Sequence, residues 1–138
     1  HQSQFTNALD LSNKSLLSLP ADVLILTNLT SLSLAGNDLE MLASGIGNFP
    51  ALRKLYLNDN RLSSIPPAIG DLLELEELYA FNNRLMSLPE RVGQLRNLRV
   101  LDLESNELTM LPPEFGYMRS LQHLKLDRNP LTSPPQDV

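Results

Sequence analysis

The chain has 138 residues, 42% of them hydrophobic but only 5% aromatic, so any core it builds is mostly aliphatic. Its 11 basic and 16 acidic residues leave a net charge of −5, which offers no general attraction to nucleic acid or an anionic membrane. It contains no cysteine, which excludes disulfides, cysteine nucleophiles and thiolate metal sites within it and points to a reducing compartment, the cytoplasm or the nucleus.

At the N-terminus there is no signal-peptide pattern, and His1 in place of an initiator methionine leads us to expect a fragment or a processed product. No apolar run approaches the ~20 residues of a membrane span. From residue 6 onward the sequence repeats every 23 residues without a gap. The first turn, 6–28, is degenerate: it carries Leu9, Leu11 and Leu16 but has Lys14 where later turns have asparagine. Turns 29–51, 52–74, 75–97 and 98–120 open on Leu29, Leu52, Leu75 and Leu98, and each has a second leucine three residues later. They carry Asn37, Asn60, Asn83 and Asn106 in step. The last turn, 121–138, keeps Leu121, Leu124 and Asn129 and is truncated. Residues 1–138 read as one domain with no linker. Two glycosylation triplets, Asn13-Lys14-Ser15 and Asn28-Leu29-Thr30, are of the kind an asparagine-rich repeat produces by chance.

Each position in the repeat has a physical reading. In the segment 52–57, Leu55 and Leu57 alternate with polar residues, which predicts a short strand with one buried face. Strands of successive turns then stack in parallel. The asparagine ends its strand, and its amide is suited to bond backbone groups left unpaired where the chain turns inward. The second half of each turn, as in 65–72, is punctuated by proline and glycine and predicts short helical or irregular segments. Ile46, Ile69, Val92 and Phe115 plug the core from that side. Gly47, Gly70, Gly93 and Gly116 follow at once, at a backbone position needing either positive φ or close packing. The convex side is wider than the strands, so the stack curves with the sheet inside.

The pattern LxxLxLxxNxLxxLPxxIGxLxx closely resembles the intracellular leucine-rich repeat family, especially the 23-residue class of Ras-group, Scribble-like and Roco-type proteins. The resemblance covers residues 6–138. It implies an α/β leucine-rich repeat solenoid, a curved horseshoe with a parallel concave sheet and short helical or irregular convex segments. It also implies a binding scaffold, although a fold by itself names no ligand. Two positions depart from the pattern. Ala80 replaces the second strand leucine seen at Leu57 and Leu103, and Pro134 stands where Leu88 and Leu111 stand. The pair Pro134-Pro135 is read as the end of the regular solenoid.

Alternation places the polar strand positions on the concave face, with successive turns ~4.8 Å apart. The central column reads Asp10, Ser33, Tyr56, Tyr79, Asp102, Lys125. The following one reads Ser12, Ala35, Asn58, Phe81, Glu104, Asp127, and the preceding one Ala8, Ser31, Lys54, Glu77, Val100, His123. Small residues fill the first two turns, aromatic ones the next two, and charged ones the last two. We therefore expect Tyr56, Tyr79 and Phe81 to anchor a protein partner, with Lys54, Asp102, Glu104, Lys125 and Asp127 selecting it by charge. The bland alternative is that Phe81 turns inward to compensate for Ala80. Asp102, Glu104 and Asp127 could bind a cation, but Lys125, Arg128 and Arg99 are expected to neutralise them. Asp38, Arg61, Arg84 and Glu107 form a further column, read as surface ion pairs or, through its arginines, as a grip on a phosphate or acidic partner.

Catalysis is not expected. The two histidines, His1 and His123, have no nucleophile or second metal ligand assigned to them, and no Gly-rich phosphate loop is present. The aromatics could stack on bases, but their acidic surroundings repel a nucleic acid backbone. No cofactor is expected. The leading reading is a protein-interaction scaffold, with self-association through uncapped ends as an additional mode. The alternative is a targeting or regulatory repeat domain of a larger kinase, GTPase or nuclease.

Overall fold

Alternation around Leu32, Leu55, Leu78 and Leu101 gives each turn one inward leucine between two outward side chains, and each turn accordingly forms a strand. The computed structural model of the chain describes residues 7–132. Its strands are β1 (Ala8–Asp10), β2 (Ser31–Ser33), β3 (Lys54–Tyr56), β4 (Glu77–Tyr79), β5 (Val100–Asp102) and β6 (His123–Lys125). They lie in chain order in one parallel sheet. Every register equals the repeat, with Leu55 beside Leu32 on one side and Leu78 on the other.

Each strand is shorter than the alternation in the sequence implies, yet bonding between turns runs past it in both directions. Upstream, the N–H groups of Arg53, Glu76, Arg99 and Gln122 donate to the carbonyls of Thr30, Arg53, Glu76 and Arg99. Downstream, those of Asp38, Arg61, Arg84 and Glu107 donate to Leu16, Leu39, Leu62 and Leu85. What interrupts the strand is a left-handed residue in every turn: Asn13, Gly36, Asp59, Asn82, Ser105 and Arg128, all with φ between 56° and 68°. Glycine, asparagine and aspartate tolerate this region best, which explains most of that column.

The next residue in four of these turns is a buried asparagine. Asn83 Nδ2 donates to the carbonyls of Ala80 at 3.1 Å and of Leu57, one turn earlier, at 3.0 Å, and its Oδ1 accepts the N–H of Leu62 at 2.9 Å. Asn37, Asn60 and Asn106 repeat this arrangement, as does the half-buried Asn129. The asparagine ladder is therefore a tie between turns as well as a strand terminator.

On the opposite side the helical component of the fold is 3-10: five-residue segments at Ala21–Ile25, Ser44–Asn48, Pro67–Asp71, Glu90–Gln94 and Pro113–Tyr117. Pro20, Pro66, Pro89 and Pro112 precede four of them in extended conformation. Each drives one side chain inward: Val23, Ile46, Ile69, Val92 and Phe115. Of the two reasons offered for the glycines, close packing holds at Gly47, Gly70 and Gly93, positive φ at none of the four, and Gly116 has neither. A Cβ on Gly70 would lie 2.7 Å from the Arg91 carbonyl oxygen, and one on Gly93 would lie 2.8 Å from that of Glu114. Gly47 meets the Ala68 carbonyl in the same way. Small residues let adjacent 3-10 segments touch through their backbones.

One continuous aliphatic core runs from Val23 to Met118. Ala80 is fully buried in the column of Leu34, Leu57 and Leu103, and Phe81 is half-buried outside the core. The alternation thus holds through Tyr79, Ala80 and Phe81, and no inward rotation of Phe81 compensates for the alanine. In the first and sixth turns Leu9, Leu11, Leu124 and Leu126 are only partly buried. No helix among the described residues is long and apolar enough to cross a membrane. His1, Thr6, Pro134 and Pro135 lie outside the described residues.

Candidate functional site

The registers assemble the three expected columns into rows. Tyr56 neighbours Ser33 and Tyr79, and Tyr79 neighbours Asp102, which neighbours Lys125. Beyond the strands the rows continue, since the N–H of Asp59 donates to the Phe81 carbonyl and that of Asn82 to the Glu104 carbonyl. Phe81 and Glu104 therefore sit one step downstream of Tyr79 and Asp102.

Two of the expected anchors meet directly. The rings of Tyr56 and Tyr79 are 4.9 Å apart and 4° from parallel. That separation is close to the natural spacing of adjacent strands, so the two rings stack with no bending of the backbone. Both are half-buried, and with the half-buried Phe81 they form an aromatic surface on turns three and four.

Glu77 organises this surface, and the sequence reading gave it no role. The Tyr79 hydroxyl donates to Glu77 Oε1 at 2.7 Å. Glu77 Oε2 faces Arg99 at 3.2 Å and Lys54 at 3.9 Å. The hydrogen bond to this carboxylate, aided by desolvation and by the negative charges of Glu77 and Asp102, pushes the Tyr79 hydroxyl up from 10.0 to about 12. Arg99 also faces Glu76 at 3.8 Å, and Arg53 meets Glu76 at 3.1 Å. The signal for this network was the column Thr30, Arg53, Glu76, Arg99, Gln122, whose charge alternates at the 23-residue spacing.

Arg99 is therefore engaged with Glu76 and Glu77 and does not neutralise Asp102, Glu104 and Asp127. Nor do Lys125 and Arg128 pair with those acids: among the described residues the ion pairs are those of Arg53, Lys54, Arg99 and Arg91, the last with Asp71. The physical reason is reach. A carboxylate side chain is short, and the neighbouring turn offers Arg99 the partly buried Glu77 with its second oxygen already engaged by Tyr79. Asp102 is 7% exposed, and its Oδ1 accepts the N–H of Glu104 at 3.1 Å, which closes the turn into the left-handed Ser105. Asp10 does the same in turn one, where the hydroxyl and N–H of Ser12 hold its carboxyl below the usual 3.8. Lys54, Lys125 and Asp127 are exposed and Glu104 half-exposed. Among the described residues the column Asp38, Arg61, Arg84, Glu107 forms no ion pair within itself, although Asp38 lies one turn from Arg61 and Glu107 one turn from Arg84. Among the described residues no group of three or more His, Cys, Asp or Glu could hold a metal ion.

A one-strand-per-turn parallel stack, tied by an asparagine ladder and presenting an open side-chain surface, defines a solenoid repeat protein. The chain belongs to the leucine-rich repeat family, whose profile matches residues 27–85 and 74–131; domains of this family are general protein-interaction modules. A leucine-rich repeat protein of Leptospira interrogans shares 34% identity over 96% of this chain and 40% of its own, with a TM-score of 0.78. The ectodomain of the plant membrane receptor kinase GASSHO1/SCHENGEN3 from Arabidopsis thaliana, in complex with CASPARIAN STRIP INTEGRITY FACTOR 2, shares 32% identity. That match covers 92% of this chain and 16% of the receptor, with a TM-score of 0.80. The BIR3–SERK2 complex from Arabidopsis thaliana matches at 31% identity over 88% of this chain and 66% of that one, with a TM-score of 0.73. The chain thus spans well under half the length of the first two. A comparison with curated proteins finds no significant match.

Proposed function

We propose that this chain is a protein-interaction module that holds its partner on the concave face of turns three to six. The observation behind this reading is the stacked pair Tyr56 and Tyr79 beside Phe81, a rigid aromatic surface on an otherwise small or charged sheet face. Aromatic side chains bring large apolar area at low entropic cost and dominate binding energy at interface centres. Lys54, Glu104, Lys125 and Asp127 surround this surface and choose the partner by charge; the buried Asp102 acts through its field. The protein complexes of the plant relatives support a protein as the ligand. The acidic balance and the lack of cysteine favour a protein partner over nucleic acid and a reducing, cytoplasmic or nuclear setting. Catalysis forms no part of this reading.

The test is affinity capture from cell extract, comparing the native chain with a Tyr56→Ala, Tyr79→Ala, Phe81→Ala variant shown to be folded. Proteins held by the native chain are expected to be lost from the variant. An unchanged set of captured proteins would place binding elsewhere.

A second reading is a repeat domain that targets or regulates a larger chain bearing a kinase, GTPase or nuclease. It is favoured by one solved relative being the leucine-rich repeat ectodomain of a plant membrane receptor kinase. Reading the complete coding sequence decides it: a catalytic domain in the same frame supports this reading and its absence removes it.

A further inference from the structure

Past the asparagine ladder the chain leaves the sheet along one flank of the solenoid, and this flank carries a pattern that the concave-face reading does not use. Met41, Met86 and Met110 are 71%, 60% and 57% exposed there, whereas Met118 is buried in the core. Met41 and Met110 stand four residues after Asn37 and Asn106, and Met86 three after Asn83, so the 23-residue register places them in two adjacent columns of the stretch that follows the ladder. Between them lie Arg61 and Arg84, each directly after its ladder asparagine. Their N–H groups donate to Leu39 and Leu62 at 2.8 and 2.9 Å, which fixes them on successive turns. Both are exposed, and neither has a carboxylate within ion-pair distance among the described residues. On the opposite flank and the sheet face, Arg53, Lys54 and Arg99 are all paired.

Turn three has small residues, Ser63 and Ser64, where its neighbours have methionine. The result is a shallow depression of about 380 Å³ lined by Glu40, Met41, Arg61, Ser63 and Arg84. Methionine is unbranched and polarisable and moulds itself to an incoming apolar side chain. Two like guanidinium groups on adjacent turns repel one another until an anion lies between or above them. Their backbones are one strand spacing apart, ~5 Å, which matches two carboxylates at i and i+4 on a helix. Asp38 and Glu107 close the same column on the outer turns, and Glu40 lines the depression from turn two, so the anionic contact is confined to Arg61 and Arg84 on turns three and four.

We infer that this flank is a second docking surface, which takes an acidic amphipathic helix of a protein partner: carboxylates on Arg61 and Arg84, apolar side chains on Met41, Met86 and the dip at Ser63. It is separate from the aromatic surface, so one module engages two segments at once.

The test uses the four methionines as reporters, with the chain labelled at its methionine methyl groups and observed by NMR. The probe is a helical peptide of about 20 residues with glutamates four apart beside a leucine face; its control has glutamine for glutamate. The glutamate peptide is expected to move the Met41 and Met86 signals and leave that of the buried Met118 in place. Its affinity should fall about tenfold in an Arg61→Glu, Arg84→Glu chain and for the glutamine peptide, and should be unchanged in the Tyr56→Ala, Tyr79→Ala, Phe81→Ala chain. All five substituted side chains lie outside the core, and the Met118 signal reports that the fold is intact. Still Met41 and Met86 signals, equal affinity for the charge-reversed chain, or loss of binding in the aromatic variant would each overturn the inference. None of those results touches the concave-face reading, whose own test is the captured partner.

Discussion

Asparagine at the ladder position does three things at once: it closes its own turn, accepts an N–H from the turn before, and donates to a carbonyl there. Removal of Asn83 leaves the Leu62 N–H buried without a partner, at a cost of about 1–3 kcal/mol, while the Leu57 and Ala80 carbonyls keep the amides of Asn60 and Asn106. Asn83→Ala in the centre is therefore expected to destabilise the chain by about 1–3 kcal/mol in denaturant unfolding. Asn129→Ala, half-buried in the last turn, is expected to cost less, and equal losses would show that burial does not set the cost. Tyr79 offers a second residue-scale prediction. Its folded pKa of about 12 lies above its ordinary 10.0, so the protonated, hydrogen-bonded form favours folding. That contribution is complete below pH 10 and is lost as pH rises through about 12. Glu77→Gln removes the charge that holds the proton, and an absorbance titration of the phenolates is expected to find Tyr79 ionising at lower pH. An unchanged titration would mean that Glu77 is not the partner that matters.

At the scale of elements, the contacts between turns are made by backbone, and glycine is the residue that permits them. Gly70→Ala puts a methyl group against the Arg91 backbone and is expected to cost about 1–3 kcal/mol. Gly116 has nothing within 4 Å of where its Cβ would stand, so Gly116→Ala is expected to be neutral or to stabilise by up to about 1 kcal/mol. Comparing the two melting curves checks this directly, and equal effects would contradict the packing role. Elements of this kind were partly legible in the sequence. Strand order, register and the inward residues followed from the period, because a fixed 23-residue spacing becomes a fixed spatial column once turns stack. The left-handed column did not, although Asn13, Gly36, Asp59 and Asn82 carried its signal, since Ser105 and Arg128 diluted it. Strand length was overestimated because that same turn cuts the strand short.

For the whole molecule, columns predicted which side chains share a face but not which of them pair. Long side chains such as Arg99 reach several neighbours: Arg99 found Glu76 and Glu77, on the turn before its own, and Glu104, Asp127 and Lys125 stay out of any ion pair among the described residues. The aromatic surface was legible because Tyr56, Tyr79 and Phe81 stand out in a chain with few aromatics. The surface organiser Glu77 was not, because its role depends on a hydroxyl hydrogen bond that composition does not reveal. The exposed methionines of the flank escaped notice for a related reason: they fall in two adjacent columns, and only the fold brings them together.

The most direct measurement is site-specific photocrosslinking in cell extract, with a photoreactive residue placed at Phe81 on the concave face or at the exposed Glu90 on the convex face. The concave-face account predicts a discrete crosslinked protein from position 81 and none from position 90. A crosslink from position 90 alone, or from neither position, would contradict it.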